Sequence, residues 1–149
     1  MIWKRLAEWS DSSTAMGARQ CSTGPFDCTR EPEEAVSSLI AVGVERILTS
    51  GLKETAWEGR ELLKKAQHEF GGQIEILAGS GVNAENAGAL MEWTGISQIH
   101  SSCRGWKNDP TTSGENVSYN FASAPHENDY DAVDESLVKR LVERAGKSV

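Results

Sequence analysis

The sequence predicts an α/β protein with a parallel β-sheet of about four β/α units, either half of a (β/α)8 barrel or a small open sheet. Short apolar segments with a period of two residues recur from residue 26 onward, and segments with the helical period follow them. Alternation at this spacing is typical of right-handed βαβ units, in which the strands lie parallel.

The individual elements follow from their periodicity and from the residues at their ends. Strands are predicted to end within residues 26–29, 44–51, 73–81 and 96–102. Helices are predicted over residues 29–43, 53–72, 82–95 and 131–146. Pro32 and acidic residues mark the start of the first helix and Gly43 its end, while Asn83 is the predicted cap of the third.

Two segments do not fit the alternation. Residues 1–25 are predicted to be a poorly ordered N-terminal segment, apart from a helical turn around Trp3–Trp9, whereas residues 26–149 form the domain. Residues 103–130 are polar and too long for an ordinary connection. A half barrel also has two unpaired edges and an uncovered inner face, so we expect a homo-oligomer, a flattened sheet or a truncated product.

The composition excludes several classes of protein. A net charge of −7 argues against nucleic acid or an anionic membrane as partner, and no apolar run approaches the length of a membrane span. The first residues carry too many charges for a signal peptide. Three cysteines without paired spacing fit a reducing environment, so we expect a cytoplasmic protein.

Parallel α/β proteins bind ligands at the carboxyl ends of their strands, and we predict an anion site there. The glycines after the third strand let backbone N–H groups approach a ligand, and Arg104 adds a guanidinium beside two serines. The simpler alternative is that these glycines only form turns. The predicted ligand residues are Thr49, Ser50, Gly51, Gly79, Ser80, Gly81, His100, Ser101, Ser102 and Arg104.

A second hypothesis is a metal site, because Cys28, His100 and Cys103 offer the soft nitrogen and sulfur ligands that suit Cu(I). The sequence has no Walker lysine motif, no His-Glu-x-x-His and no Gly-x-Ser-x-Gly, so we assign no catalytic residues and leave enzymatic activity open. Trp57 and Trp93 lie in predicted helices and are expected in the core.

Three stretches of the chain resemble the CutC copper homeostasis proteins: FDCTREPEEAVSSLIAVGVERILTSG, AGSGVNAENAGALMEWTG and QIHSSCRG. The resemblance runs from about Phe26 to the C-terminal helix. It implies a cytoplasmic protein with the later half of a TIM-like barrel, associated with copper tolerance and copper binding. The family has His-Arg-Ala where this chain has Thr23-Gly24-Pro25, a Pro-Gly-Gly-Gly turn where it has residues 78–81, and Ala in place of Cys103.

The leading hypothesis is therefore a truncated CutC-like protein of copper homeostasis, in which Cys28, His100 and Cys103 are the side chains to test for Cu(I) binding. The alternative is a barrel-derived enzyme or binder for a small phosphorylated or carboxylated metabolite. A third hypothesis gives the chain no independent activity unless it pairs with another chain.

Overall fold

The computed structural model of the protein describes residues 21–22, 25–119 and 122–146. In chain order, its strands are β1 (Cys21–Ser22), β2 (Arg46–Thr49), β3 (Glu75–Ala78), β4 (Gln98–Ile99), β5 (Arg104–Asn108) and β6 (Asp129–Val133). Its α-helices are α1 (Pro32–Ala41), α2 (Arg60–Phe70), α3 (Ala87–Thr94) and α4 (Glu135–Ala145). Two 3₁₀ turns cover Pro25–Cys28 and Pro110–Thr112.

Strands β1 to β4 form one parallel sheet in the order β1-β2-β3-β4, which confirms the predicted parallel α/β fold. The four strands do not close into a barrel in the part of the chain that the structure describes. Strand β1 lies ahead of residue 26, so the sheet extends into the segment that the sequence pattern left out. The predicted disorder of residues 1–20, including the turn around Trp3–Trp9, lies outside the described residues.

The two faces of the sheet differ in burial, as expected for strands with a period of two. On β2, Ile47 and Thr49 are buried, and on β3 Ile76 and Ala78 are buried, while the residues between them are only half-buried. The buried side chains pack against apolar residues of the helices, among them Val36 of α1, Leu63 of α2 and Leu90 of α3. On the other face, Arg46 pairs with Glu75 across β2 and β3.

Helices α2 and α3 begin at least five residues later than predicted, because side chains bind the backbone just ahead of them. Residues 53–59 form turns instead of helix, and Thr55 and Glu58 hydrogen-bond to each other there. Residues 82–86 also precede their helix. The Asn83 side chain accepts hydrogen bonds from the N–H groups of Glu85 and Asn86, so Asn83 caps the turn ahead of α3. Asx side chains favour such turns over a continuing helix.

The long polar segment is organised by an antiparallel hairpin of β5 and β6. Trp106 of β5 stacks on His126, with ring centroids 4.2 Å apart, and His126 Nδ1 lies 2.7 Å from Asp129 Oδ2. The hydrogen bond from His126 lowers the pKa of the Asp129 carboxyl. Residues 131–133 belong to β6, so the final helix starts at residue 135, after Asp134. None of the described helices has the length and apolar character needed to span a membrane.

Candidate functional site

At the carboxyl end of β2, the polar groups of the protein hydrogen-bond to one another. The Asp27 carboxylate accepts a 2.5 Å hydrogen bond from Thr49 Oγ1. It also accepts hydrogen bonds from the backbone N–H groups of Ser50 and Leu52. The Ser50 hydroxyl donates to the carbonyl of Lys53 at 2.5 Å. Thr49 and Ser50 are buried, at 3% and 5% exposure. Their hydroxyls and the Asp27 carboxylate are therefore committed to holding the turn.

The end of β3 has a mixed role. Gly79 is buried, and a Cβ there would lie 2.5 Å from Leu48 Cδ1, so a side chain at this position requires Leu48 to move. Ser80 has a positive φ of 75°, and its hydroxyl donates to the carbonyl of Glu54 at 2.6 Å. Gly81, with φ of 68°, is exposed. Thus Gly79 and Ser80 serve the packing of the loops, which leaves Gly81 available to a ligand.

A cleft of about 230 Å³ lies between the loop after β3, the segment after β4 and helix α4. Its walls consist of residues 81–85, residues 101–104 and the α4 side chains Leu137 and Leu141. Asp134 caps the start of helix α4 by accepting hydrogen bonds from the N–H groups of Ser136 and Leu137, and Leu141 packs this helix against the hydrophobic core. The cleft thus combines a polar rim from the sheet with an apolar wall from the C-terminal helix.

Four of the predicted ligand residues meet in this cleft: Gly81, Ser101, Ser102 and Arg104. The other six do not line it: Thr49, Ser50, Gly51, Gly79, Ser80 and His100. The sequence reasoning missed Asn83 and Glu85 as lining residues. Asn83 carried a signal, since it stood at a predicted helix start beside the glycines, but it was interpreted only as a cap.

Arg104 is the guanidinium at the cleft. Its side chain is 51% exposed, its Nε lies 3.4 Å from Asp131 Oδ2, and its Cζ lies 5.7 Å from the centroid of the Trp106 ring. The neighbouring backbone is turned sharply, because Cys103 has a φ of 42° and its N–H donates to Ser101 Oγ at 3.2 Å. A guanidinium beside hydroxyls and a glycine-containing loop can bind a carboxylate or a phosphate, with Asp131 as its internal competitor.

The structure does not bring the three predicted metal ligands together. Cys28 ends the 3₁₀ turn beside the end of β2, where its neighbour Asp27 binds Thr49, whereas His100 and Cys103 follow β4. Across the described ranges, no group of three or more histidine, cysteine, aspartate or glutamate side chains could hold a metal ion.

In a comparison with protein families, the model of the CutC family matches residues 14–105 of this chain. The chain belongs to the CutC family. The match starts ahead of β1 and ends within β5, so every cleft residue up to Arg104 lies in the part that defines the family. Leu137 and Leu141 of the α4 wall lie beyond it.

Individual CutC relatives agree with this assignment. A family protein CutC of Pasteurella multocida is 43% identical over 82 residues, which cover 55% of this chain and 34% of that protein. Its counterpart in Treponema denticola is 36% identical over 103 residues, which cover 68% of this chain and 42% of the relative. The chain therefore spans less than half the length of these relatives.

A solved structure is similar as well. The crystal structure of the "Putative Copper Homeostasis Protein CutC" from Streptococcus agalactiae matches with a TM-score of 0.54 and 29% sequence identity. The match covers 57% of this chain and 42% of that chain. The parallel α/β arrangement described above is thus shared with a solved member of the family.

Proposed function

We propose that this CutC family chain binds a small phosphorylated or carboxylated molecule in the cleft between the loop after β3 and helix α4. The observation that carries this proposal is the meeting of Ser101, Ser102 and Arg104 with the Gly81 loop in a single cleft. The cleft lies beyond the carboxyl ends of β3 and β4, where α/β proteins bind ligands.

The polar groups of the cleft favour an anion with an apolar portion. Arg104 provides a planar guanidinium, and the serine hydroxyls can donate to phosphate or carboxylate oxygens. Leu137 and Leu141 offer an apolar surface to the rest of the ligand. Glu85 lines the same cleft and opposes a negative charge, so it limits the affinity for a bare anion.

Thermal unfolding with inorganic phosphate tests this proposal, at an ionic strength kept constant with chloride. Phosphate should raise the unfolding midpoint of the wild type, because a ligand that binds the folded state stabilises it. Arg104→Ala should abolish the increase, and Glu85→Gln should enlarge it. Lys107→Ala removes a cation from the same strand at a position outside the cleft, so it should respond like the wild type.

Two outcomes would contradict the anion site. The first is a wild-type midpoint that phosphate and glycerol phosphate leave unchanged. The second is an equal response of the Arg104→Ala and Lys107→Ala proteins, which would mean that phosphate acts elsewhere on the surface.

A second candidate function is copper homeostasis, which is favoured by family membership and by the similarity to the Streptococcus agalactiae protein named above. In this proposal Cu(I) is the cargo, and the half-buried Cys103 with His100 forms the capture site, with Cys28 acting separately. A soft thiolate selects Cu(I) over harder cations. Because Cys103 also lines the cleft, the copper and anion proposals concern neighbouring atoms.

Titration of Cu(I) from a chelator of known affinity tests this second function. Cys103→Ser should weaken Cu(I) binding by about tenfold or more, since the serine hydroxyl is a poor ligand for a soft metal. Cys28→Ser is the matched control and should change the affinity for Cu(I) less than Cys103→Ser does. Equal affinity of the wild type and the Cys103→Ser protein would exclude Cys103 from the site.

A further inference from the structure

Two tryptophans that were expected in the core lie on the surface. Trp57 is 40% exposed and Trp93 is 49% exposed, so the core assignment from helical position was wrong. Trp57 precedes α2, and Trp93 lies in the last turn of α3, where it points away from the buried Leu90 and Met91. An exposed pair of large aromatic side chains on one surface calls for a physical reason, whereas a single one does not.

Two cations of α2 link these tryptophans into one surface. Arg60 Cζ lies 4.9 Å from the ring centroid of Trp57 and 5.9 Å from that of Trp93. Lys64 Nζ lies 5.0 Å from the centroid of Trp93. Arg60 also donates a 2.8 Å hydrogen bond to the carbonyl of Trp57. We call these four residues, Trp57, Arg60, Lys64 and Trp93, the tryptophan patch.

The two cations of the patch have few carboxylates in contact with them. Lys65, the next residue of α2, contacts the Glu33 carboxylate, and Arg46 is paired with Glu75. By contrast, Arg60 has only Glu61, at 3.9 Å from its Nε, and Lys64 has no carboxylate within salt-bridge distance among the described residues. The patch thus exposes Arg60 and Lys64 with one carboxylate, that of Glu61, in contact, on a chain whose net charge is −7.

We propose that the tryptophan patch docks an acidic protein segment that carries an apolar or aromatic side chain. The carboxylates of the segment would bind Arg60 and Lys64, and its apolar side chain would pack against the two indoles. Tryptophan and arginine are enriched at the centres of protein interfaces. The patch shares no residue with the cleft, so this inference is independent of the proposed anion site.

Fluorescence anisotropy with a dye-labelled peptide of glutamate, leucine and phenylalanine tests the proposal on the full chain. Two control peptides replace every glutamate with lysine or every apolar residue with serine. The wild type should bind the first peptide and neither control. Trp93→Ala should weaken binding by about tenfold or more, the effect typical of a tryptophan at the centre of an interface.

Lys64→Glu and Lys65→Glu form a matched pair on the same helix. Lys64→Glu should weaken binding by about tenfold because it places a like charge opposite the segment, while Lys65→Glu should change it less than about twofold. If circular dichroism shows that the Trp93→Ala protein does not fold, the comparison of Lys64→Glu with Lys65→Glu tests the proposal by itself. No binding to the wild type, equal effects of the two lysine variants, or equal binding of the serine peptide would each overturn the proposal.

Sedimentation velocity tests the other candidate occupant of the tryptophan patch, which is a second copy of this chain. A wild type that self-associates, with a Lys64→Glu variant that stays monomeric, would show that the patch is covered by another copy and would refute the acidic segment. A monomeric wild type that binds the acidic peptide supports it.

Discussion

The ends of β2 and β4 carry similar residues, a pair of hydroxyls beside a residue with positive φ, yet the structure uses them differently. After β2, the hydroxyls of Thr49 and Ser50 are buried and bound to Asp27 and to the backbone. After β4, Ser101 and Ser102 lie at an open cleft with a half-exposed guanidinium beside them. Hydroxyls at a strand end therefore indicate a ligand site only where the protein itself leaves them accessible.

A matched pair of glycine substitutions gives the largest expected contrast. Gly51→Ala should destabilise the protein by about 4 kcal/mol, because a Cβ would lie 2.4 Å from the carbonyl oxygen of Gly59 in a left-handed backbone. Gly81→Ala should cost about 1 kcal/mol, since φ is also positive but the nearest atom is Thr55 Cγ2 at 3.1 Å. Urea unfolding of both variants measures the two free energies.

Similar losses of unfolding free energy in the Gly51→Ala and Gly81→Ala proteins would contradict this prediction. It would mean that the turn after β2 relaxes as readily as the one after β3, and that the closed hydrogen-bonded end is no more rigid than the open one.

A second pair of substitutions compares the carboxylates of Asp27 and Asp131. Asp27→Ala leaves the buried Thr49 hydroxyl and the N–H groups of Ser50 and Leu52 without their acceptor, which should cost about 3 kcal/mol. Asp131→Ala removes only a partly exposed ion pair with Arg104 and should cost less than about 1 kcal/mol. Chemical denaturation of the two proteins gives the comparison.

The Asp131 variant has a further use, because it also frees Arg104. If the anion proposal holds, Asp131→Ala should raise the phosphate-induced stabilisation while it leaves the unfolding free energy in buffer nearly unchanged. A large loss of stability from Asp131→Ala, equal to that of Asp27→Ala, would refute the distinction between a structural and an accessible carboxylate.

Local periodicity predicted the four helices and strands β2 to β4 in their order, since apolar spacing depends only on neighbours in sequence, but it missed β1 and the hairpin of β5 and β6. The starts of α2 and α3 were missed, because Thr55 and Asn83 bind the backbone locally and hold turns where the apolar pattern already suits a helix. The cleft was half predicted. Its rim could be identified from residues 81 and 101–104, but its wall depends on how α4 packs some 35 residues later along the chain.

The smallest expected effect concerns the wall of the cleft and is visible only as a pH dependence. Hydrogen bonds from the Ser136 hydroxyl and from the N–H groups of Leu137 and Ser136 lower the pKa of the Asp134 carboxyl below its ordinary 3.8. The ionised form is therefore favoured in the folded protein. Its contribution to stability is complete above the ordinary pKa and is lost as the pH falls through the lowered folded-state pKa.

Asp134→Asn keeps an acceptor at the start of α4 but cannot titrate, so it is the reference for this effect. Asp109 and Asp129 also have lowered pKa values, and their contributions cancel in the difference between wild type and variant. From about pH 6 to about pH 3, the wild type should lose unfolding free energy relative to the variant. A constant difference in unfolding free energy between the two proteins across this range would show that Asp134 does not hold the wall of the cleft as an ionised cap.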